Sequence, residues 1–271
     1  MFNKILLIGD MVSGCKVALS AMEPVLMHSK HQVFCLPTEI VSNTFGYKKV
    51  AQVSTGDYVP KTIDAWQQLG FDFDAVYVGY ITDKAQAVAV TEYCKALKEK
   101  GVKIFHDPIM GENCHLYYGM GDEVARLHKN ILPLTDYTFP SMTEAAYLTG
   151  RDYTIPDITE EEIYAIMDDL SAMGAGNMAI TSCVVDGRNV IAIYDVATGR
   201  KLLYPYERLP VKIGGTGDVF SAMVIAEVMN GMEFSAAVQR TVNRLLALIR
   251  LDMNKEDKLR GLNLERYLGE I

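Results

Sequence analysis

Gly214-Gly-Thr-Gly-Asp218-Val-Phe-Ser-Ala-Met223 sets three glycines in four positions, closes them with an aspartate and runs straight into a segment of helical character. Glycine has no Cβ, so the backbone can turn sharply and its amides can approach a ligand closely. The first N–H groups of a helix lack internal partners, and the helix dipole adds positive potential there. Such a turn cradles an anion, either a phosphate or the charge that develops as a phosphoryl group moves. Asp218 stands at the rim, where a carboxylate either accepts a proton from an attacking hydroxyl or simply caps the helix. Taken by itself, the stretch leaves both readings open.

The surrounding chain bounds the answer. Its 271 residues are enough to bury a large core as one α/β domain, and 49% hydrophobic with 22% charged residues is ordinary for a soluble globular protein. A net charge of −8 argues against nucleic acid or an anionic membrane as partner. No apolar run approaches the ~20 residues of a bilayer span. The apolar run before Asp10 is too short for a secretory signal and reads as a first buried strand. Five scattered cysteines (Cys15, Cys35, Cys94, Cys114, Cys183) contain no Cys-x-x-Cys pair, which fits reduced thiols and a cytoplasmic location. The histidines show no metal-ligand spacing, so no structural zinc is expected.

Short apolar runs alternate with helical patterns. Residues 4–8, 33–36, 75–79, 102–106, 137–139 and 178–181 read as buried strands, with the little polar alternation of a parallel sheet covered on both faces. Helices are expected over 85–100, 141–148 and 160–173, closed by Gly101, Gly150 and Gly174. A hairpin follows at 189–194 and 201–204, then helices at 218–230 and 234–251. Trp66 is expected to pack on a helix over 62–69. This order predicts a three-layer α/β/α doubly wound, mostly parallel sheet in a single domain. Residues 36–60 read as a substrate flap or a long surface connection.

Neither Gly-x-x-x-x-Gly-Lys-Ser/Thr nor an early Gly-x-Gly-x-x-Gly occurs, which excludes the ordinary P-loop and the dinucleotide fingerprint. The late glycine cluster with Asp218 resembles the anion hole and catalytic base of the ribokinase-like small-molecule kinases. Within that family, several segments resemble the pyridoxal/pyridoxamine (vitamin B6) kinases. These are Leu36-Pro37-Thr38 with Ser42-Asn43-Thr44, Gly79-Tyr80, Asp107-Pro108-Ile109-Met110-Gly111 with Leu116-Tyr117, and Phe139-Pro140-Ser141-Met142-Thr143-Glu144. They follow the family's order across roughly residues 4–250.

The resemblance implies ATP-dependent phosphorylation of the 5′-hydroxymethyl group of a B6 vitamer, with Mg²⁺, in a homodimer. Asp218 is then the general base and Gly215, Thr216 and Gly217 form the anion hole. Asp10, Thr38 and Tyr80 line the substrate. Asp107, Ser141, Thr181 and Asn243 serve ATP, and Asp107 with Glu144 holds magnesium, mostly through water. Ser141-x-x-Glu144 is equally a capping box, and Asp107-Pro108 equally a turn. The chain departs from the family in Ser141, where asparagine is common, and in residues 9–14, which lack Ser-His. Two alternatives share the fold: hydroxymethylpyrimidine (phosphate) kinase, and a protein that binds vitamin or nucleotide without turnover.

Overall fold

Ile5, Leu6, Leu7 and Ile8 are fully buried in the computed structural model, as a strand covered on both faces requires. The structure describes residues 2–117, 120–151 and 157–270. In chain order, the first elements are β1 (Lys4–Val12), α1 (Leu19–His28), β2 (Gln32–Val41), β3 (Gln52–Ser54), α2 (Tyr58–Leu69), β4 (Ala75–Val78) and α3 (Lys84–Glu99). Next come β5 (Lys103–His106), β6 (Gly111–Glu112), β7 (His115–Leu116), α4 (Asp122–Ile131), β8 (Tyr137–Thr138), α5 (Met142–Thr149), β9 (Asp157–Ile158) and α6 (Glu160–Ala172). The rest are β10 (Asn177–Val185), β11 (Arg188–Asp195), β12 (Arg200–Pro205), α7 (Thr216–Met229), α8 (Phe234–Asp252) and α9 (Leu264–Tyr267).

The chain divides into two compact units, Met1–Tyr77 with Leu209–Ile271, and Val78–Arg208. In the first unit β1 pairs parallel with β2, and β2 pairs antiparallel with β3. β2 runs five residues beyond the expected end at Leu36, so residues 36–41 of the expected flap are strand, and residues 58–60 already belong to α2. Pro37 explains the early stop in the sequence reading, because proline donates nothing to a ladder. The sheet accommodates it with a bulge: Gly9 pairs with Pro37, Asp10 with Glu39, and Thr38 is the extra residue. α1, which was not among the expected helices, contains Pro24. Burial of Leu19, Met22, Val25 and Leu26 overrides that local penalty. Trp66 packs from α2 against Phe71 and Phe73, with ring centroids 5.7 and 5.9 Å apart.

In the second unit β5, β8 and β10 run parallel, and β11 and β12 extend the sheet antiparallel as the expected hairpin. α5 and α6 begin with complete capping boxes at Ser141–Glu144 and Thr159–Glu162. α4 has the amphipathic spacing of Val124, Leu127, His128 and Ile131, yet the sequence reading assigned no helix there.

His128 on α4 meets His106 of β5, Nδ1 to Nε2, at 2.9 Å, with both side chains fully buried. One ring must donate and the other accept, so at least the accepting imidazole is neutral, and burial favours neutrality of both. Among the described residues, the outward nitrogens, His106 Nδ1 and His128 Nε2, meet no hydrogen-bond partner. Burial holds His128 down to about 4. Its unfolded counterpart takes up a proton below the ordinary value of 6.5, where the folded chain does not, so stability falls as pH drops from 6.5 toward 4. We expect His128 to account for about 3 kcal/mol of that loss. Urea titrations at pH 7 and pH 5 check this: His128→Met should be less sensitive to acid than the parent chain.

Candidate active site

The expected residues of the first unit gather where β1, α1 and α7 begin or end. α7 is buried nearly all round, including Val219, Phe220, Ala222, Met223, Val224 and Ile225, so its start is fixed by the core. Gly215 is its N-cap, with φ of 74°, and a Cβ there would collide with the carbonyl oxygen of Lys16. Only glycine satisfies both demands. Gly217 is exposed, with open space where a side chain would stand. Thr216 and Gly217 occupy the first turn of α7, where backbone amides lack partners within the helix.

Asp218, half-buried in that same turn, accepts a hydrogen bond from the Ala18 amide at 2.7 Å. Ala18 is the N-cap of α1 and has no capping side chain of its own; its φ is 50°. Burial raises Asp218 to about 6, against the pull of the Ala18 amide and its own. Asp10, at the β1 bulge, rises further, to about 7, through burial first and then the negative charge of Asp218, with Glu39 adding to it. Thr38, the bulged residue beside them, is buried. Nothing in the sequence reading pointed to Glu39 or Ala18: Glu39 becomes Asp10's neighbour only through the bulge, and Ala18 acts through its backbone.

A second group forms in the second unit. Thr181 is not at the end of its strand, as expected, but inside β10, at the irregularity between Ile180 and Cys183. Its amide donates to the Pro140 carbonyl at 2.8 Å, and it bridges to Ser141. Ser141 Oγ donates to the Gly111 carbonyl at 2.9 Å and accepts from the Glu144 amide at 3.2 Å. Glu144, only 4% exposed, accepts from the Met110 and Gly111 amides at 2.8 and 3.1 Å and from the Ser141 amide at 2.6 Å. Its carboxylate therefore fastens the 107–111 loop to the start of α5. Burial still raises its pKa, against these amides.

Asp107 sits just past β5, buried, with its amide donating to Val78 O at 2.9 Å. Among the described residues no three His, Cys, Asp or Glu groups converge to hold a metal directly. Tyr80 is half-buried two residues past β4, and Asn243 is exposed on α8.

A family model described as phosphomethylpyrimidine kinase matches residues 23–261. Pyridoxal kinase from Dictyostelium discoideum is 24% identical over 214 residues, covering 74% of this chain and 68% of that one. Pyridoxal kinase from Sus scrofa is 27% identical over 197 residues, covering 66% and 60%. The matches thus span about two thirds of the curated relatives' length. Among solved structures, a Bacteroides thetaiotaomicron protein crystallised with pyridoxal is 29% identical, with a TM-score of 0.91 over 99% of this chain and 95% of that one. Pyridoxal kinase from Lactobacillus plantarum is 25% identical, with a TM-score of 0.87 over 99% and 96%. The expected α/β class, with mostly parallel strands flanked by helices, is the fold of these structures.

Glu144→Ala would orphan three backbone amides around a buried turn. We expect it to destabilise the chain by about 2–4 kcal/mol. Urea unfolding without nucleotide or magnesium measures this, because the loss does not depend on either.

Proposed function

The chain belongs to the phosphomethylpyrimidine kinase family, and we propose that it catalyses ATP-dependent phosphorylation of the 5′-hydroxymethyl group of a B6 vitamer, pyridoxamine or pyridoxal. The observation that carries this is Asp218: a half-buried carboxylate, raised to about 6, set among the first amides of a helix that opens on a glycine loop. Names of relatives such as pyridoxal kinase support the acceptor class.

Asp218 takes the hydroxyl proton as the acceptor oxygen bonds to the γ-phosphorus. The bond from that phosphorus to the bridging oxygen breaks, and ADP leaves. The amides of Gly215, Thr216 and Gly217 stabilise the charge on the moving phosphoryl group. Asp10, Thr38 and Tyr80 contact the acceptor ring. Asp107, Ser141, Thr181 and Asn243 serve ATP. Magnesium would enter with the nucleotide and screen the triphosphate charge; Asp107 would hold it through water, with Glu144 contributing by bracing the 107–111 loop that carries Asp107. A carboxylate whose oxygens already bind amides suits that indirect role better than direct ligation. We read the chain as one kinase domain with a substrate flap within 36–60, working as a cytoplasmic homodimer. All five cysteines are free, which supports a reducing compartment.

Asp218→Asn keeps an acceptor for the Ala18 amide and removes the base. We expect kcat to fall by at least ~10²-fold, with ATP affinity almost unchanged. Steady-state assays with Mg-ATP and pyridoxal, pyridoxamine, pyridoxine or hydroxymethylpyrimidine test the reading, and a variant keeping a tenth of parental turnover would sink it. In the parent chain the base must be ionised. Activity should therefore decline as pH drops through about 6 and level off above it.

A further inference from the structure

Residues 255–263 contain none of the expected site residues, yet they run against three pieces of the first unit that the proposed reaction uses. The Lys258 carbonyl accepts from the Gly214 amide at 3.0 Å, and the Arg260 carbonyl accepts from the Lys16 amide at 2.8 Å. Alternate carbonyls of one short segment thus hold the glycine loop and the turn that carries Ala18. Gly261 closes the approach: its φ is 82°, and a Cβ there would collide with the Lys16 carbonyl oxygen. Between these carbonyls lies Leu259, whose Cδ2 is 2.7 Å from where a Cβ on Gly46 would stand.

Gly46 belongs to a single 3₁₀ turn, Phe45–Tyr47, within the proposed flap. The ring of Tyr47 packs on a small apolar cluster of Val12, Cys15, Val17, Ala18 and Val41. Its hydroxyl donates to Asp257 at 2.6 Å, a short, charge-assisted bond. Asp257 also accepts from the Leu259 amide at 3.2 Å and pairs with Arg260 at 3.2 Å, which bends the segment into its turn. At the far end, Lys255 donates to the Gly261 carbonyl at 2.6 Å, and Asp252 at the end of α8 takes the Asn263 amide at 2.6 Å. The segment is therefore pinned to α8 on one side and to the flap on the other.

We infer that Tyr47 and Asp257 are positioning residues: the flap, seated through Tyr47, holds segment 257–261 so that the segment fixes the glycine loop and the Ala18 turn. Substrate covered by the flap then meets an anion hole already in register, and an open flap loosens it. The catalytic consequence rests on the proposed kinase reaction; the mechanical coupling does not.

Amide hydrogen exchange tests the coupling directly. The probes are the Gly214 and Lys16 amides, which donate to the segment, in the parent chain and in Tyr47→Phe, Asp257→Asn and the double variant. Tyr47→Phe keeps the ring on its cluster, and Asp257→Asn keeps the side chain's shape, so both variants should fold. Exchange of both amides should quicken about tenfold in Tyr47→Phe, at least as much in Asp257→Asn, which also loses the Arg260 pair, and no further in the double variant than in Asp257→Asn. Parental exchange in both single variants overturns the inference, as does acceleration that simply adds in the double. If the kinase reading holds, kcat falls several-fold in step with the exchange while KM for ATP stays put. Faster exchange in a chain that phosphorylates none of the acceptors would uphold the coupling and remove the kinase reading instead.

Discussion

One hydrogen bond, from the Ala18 amide to the Asp218 carboxylate, organises the first unit of this chain around the glycine loop. It ties the first turn of α7 to the N-cap of α1. α7 cannot slide, because apolar residues cover almost its whole circumference. Ala18 cannot cap its own helix and holds a backbone conformation that a side-chain-bearing residue seldom adopts. Asp218 supplies the acceptor that Ala18 lacks. Capping and proton transfer stood as rival readings of this residue in the sequence. In the structure they are compatible, because the cap it forms belongs to the other helix.

The arrangement has a thermodynamic consequence. Asp10 and Asp218 have folded pKa values of about 7 and 6, above the ordinary 3.8. Folding is therefore favoured when they are protonated, and that contribution is lost as pH rises through 6 and 7. Near pH 8 both are charged, and Asp10 alone carries a penalty of about 4 kcal/mol, comparable to a good part of a domain's net stability. Two carboxylates placed here with Glu39 beside them cost stability at neutral pH, and a cluster of such perturbed groups is a physical reason to look for chemistry at this site that does not depend on any resemblance.

Most of the framework was legible in the sequence because it rests on local signals. The β5, β8 and β10 runs, the capping box at Ser141 and the glycine that ends α5 are each encoded within a few residues. Misreadings fell where a long-range contact overrides a local rule. Pro37 breaks the strand rule locally, but a bulge absorbs it and moves Thr38 and Glu39 beside Asp10. Pro24 lies inside a helix that the core nevertheless buries. Thr181 looked like a strand end because β10 becomes irregular there before continuing. Segment 257–261 was illegible for a different reason: its function lies in two carbonyls and a glycine, and backbone groups leave almost no mark on composition.

Glu144 and Asp218 show how the fold sorts similar carboxylates into different work. Both stand in the first turn of a helix and both accept backbone amides. Glu144 is almost wholly inaccessible and binds the amides of Met110, Gly111 and Ser141, so releasing or gaining a proton would disturb three contacts at once. Asp218 is half-buried, and the amides it holds are those of Ala18 and its own residue. A group that must change protonation in every cycle needs a path for the proton and few obligations to the backbone. Those two conditions, rather than residue type or position in a motif, suit Asp218 to the proposed role of base and Glu144 to that of brace.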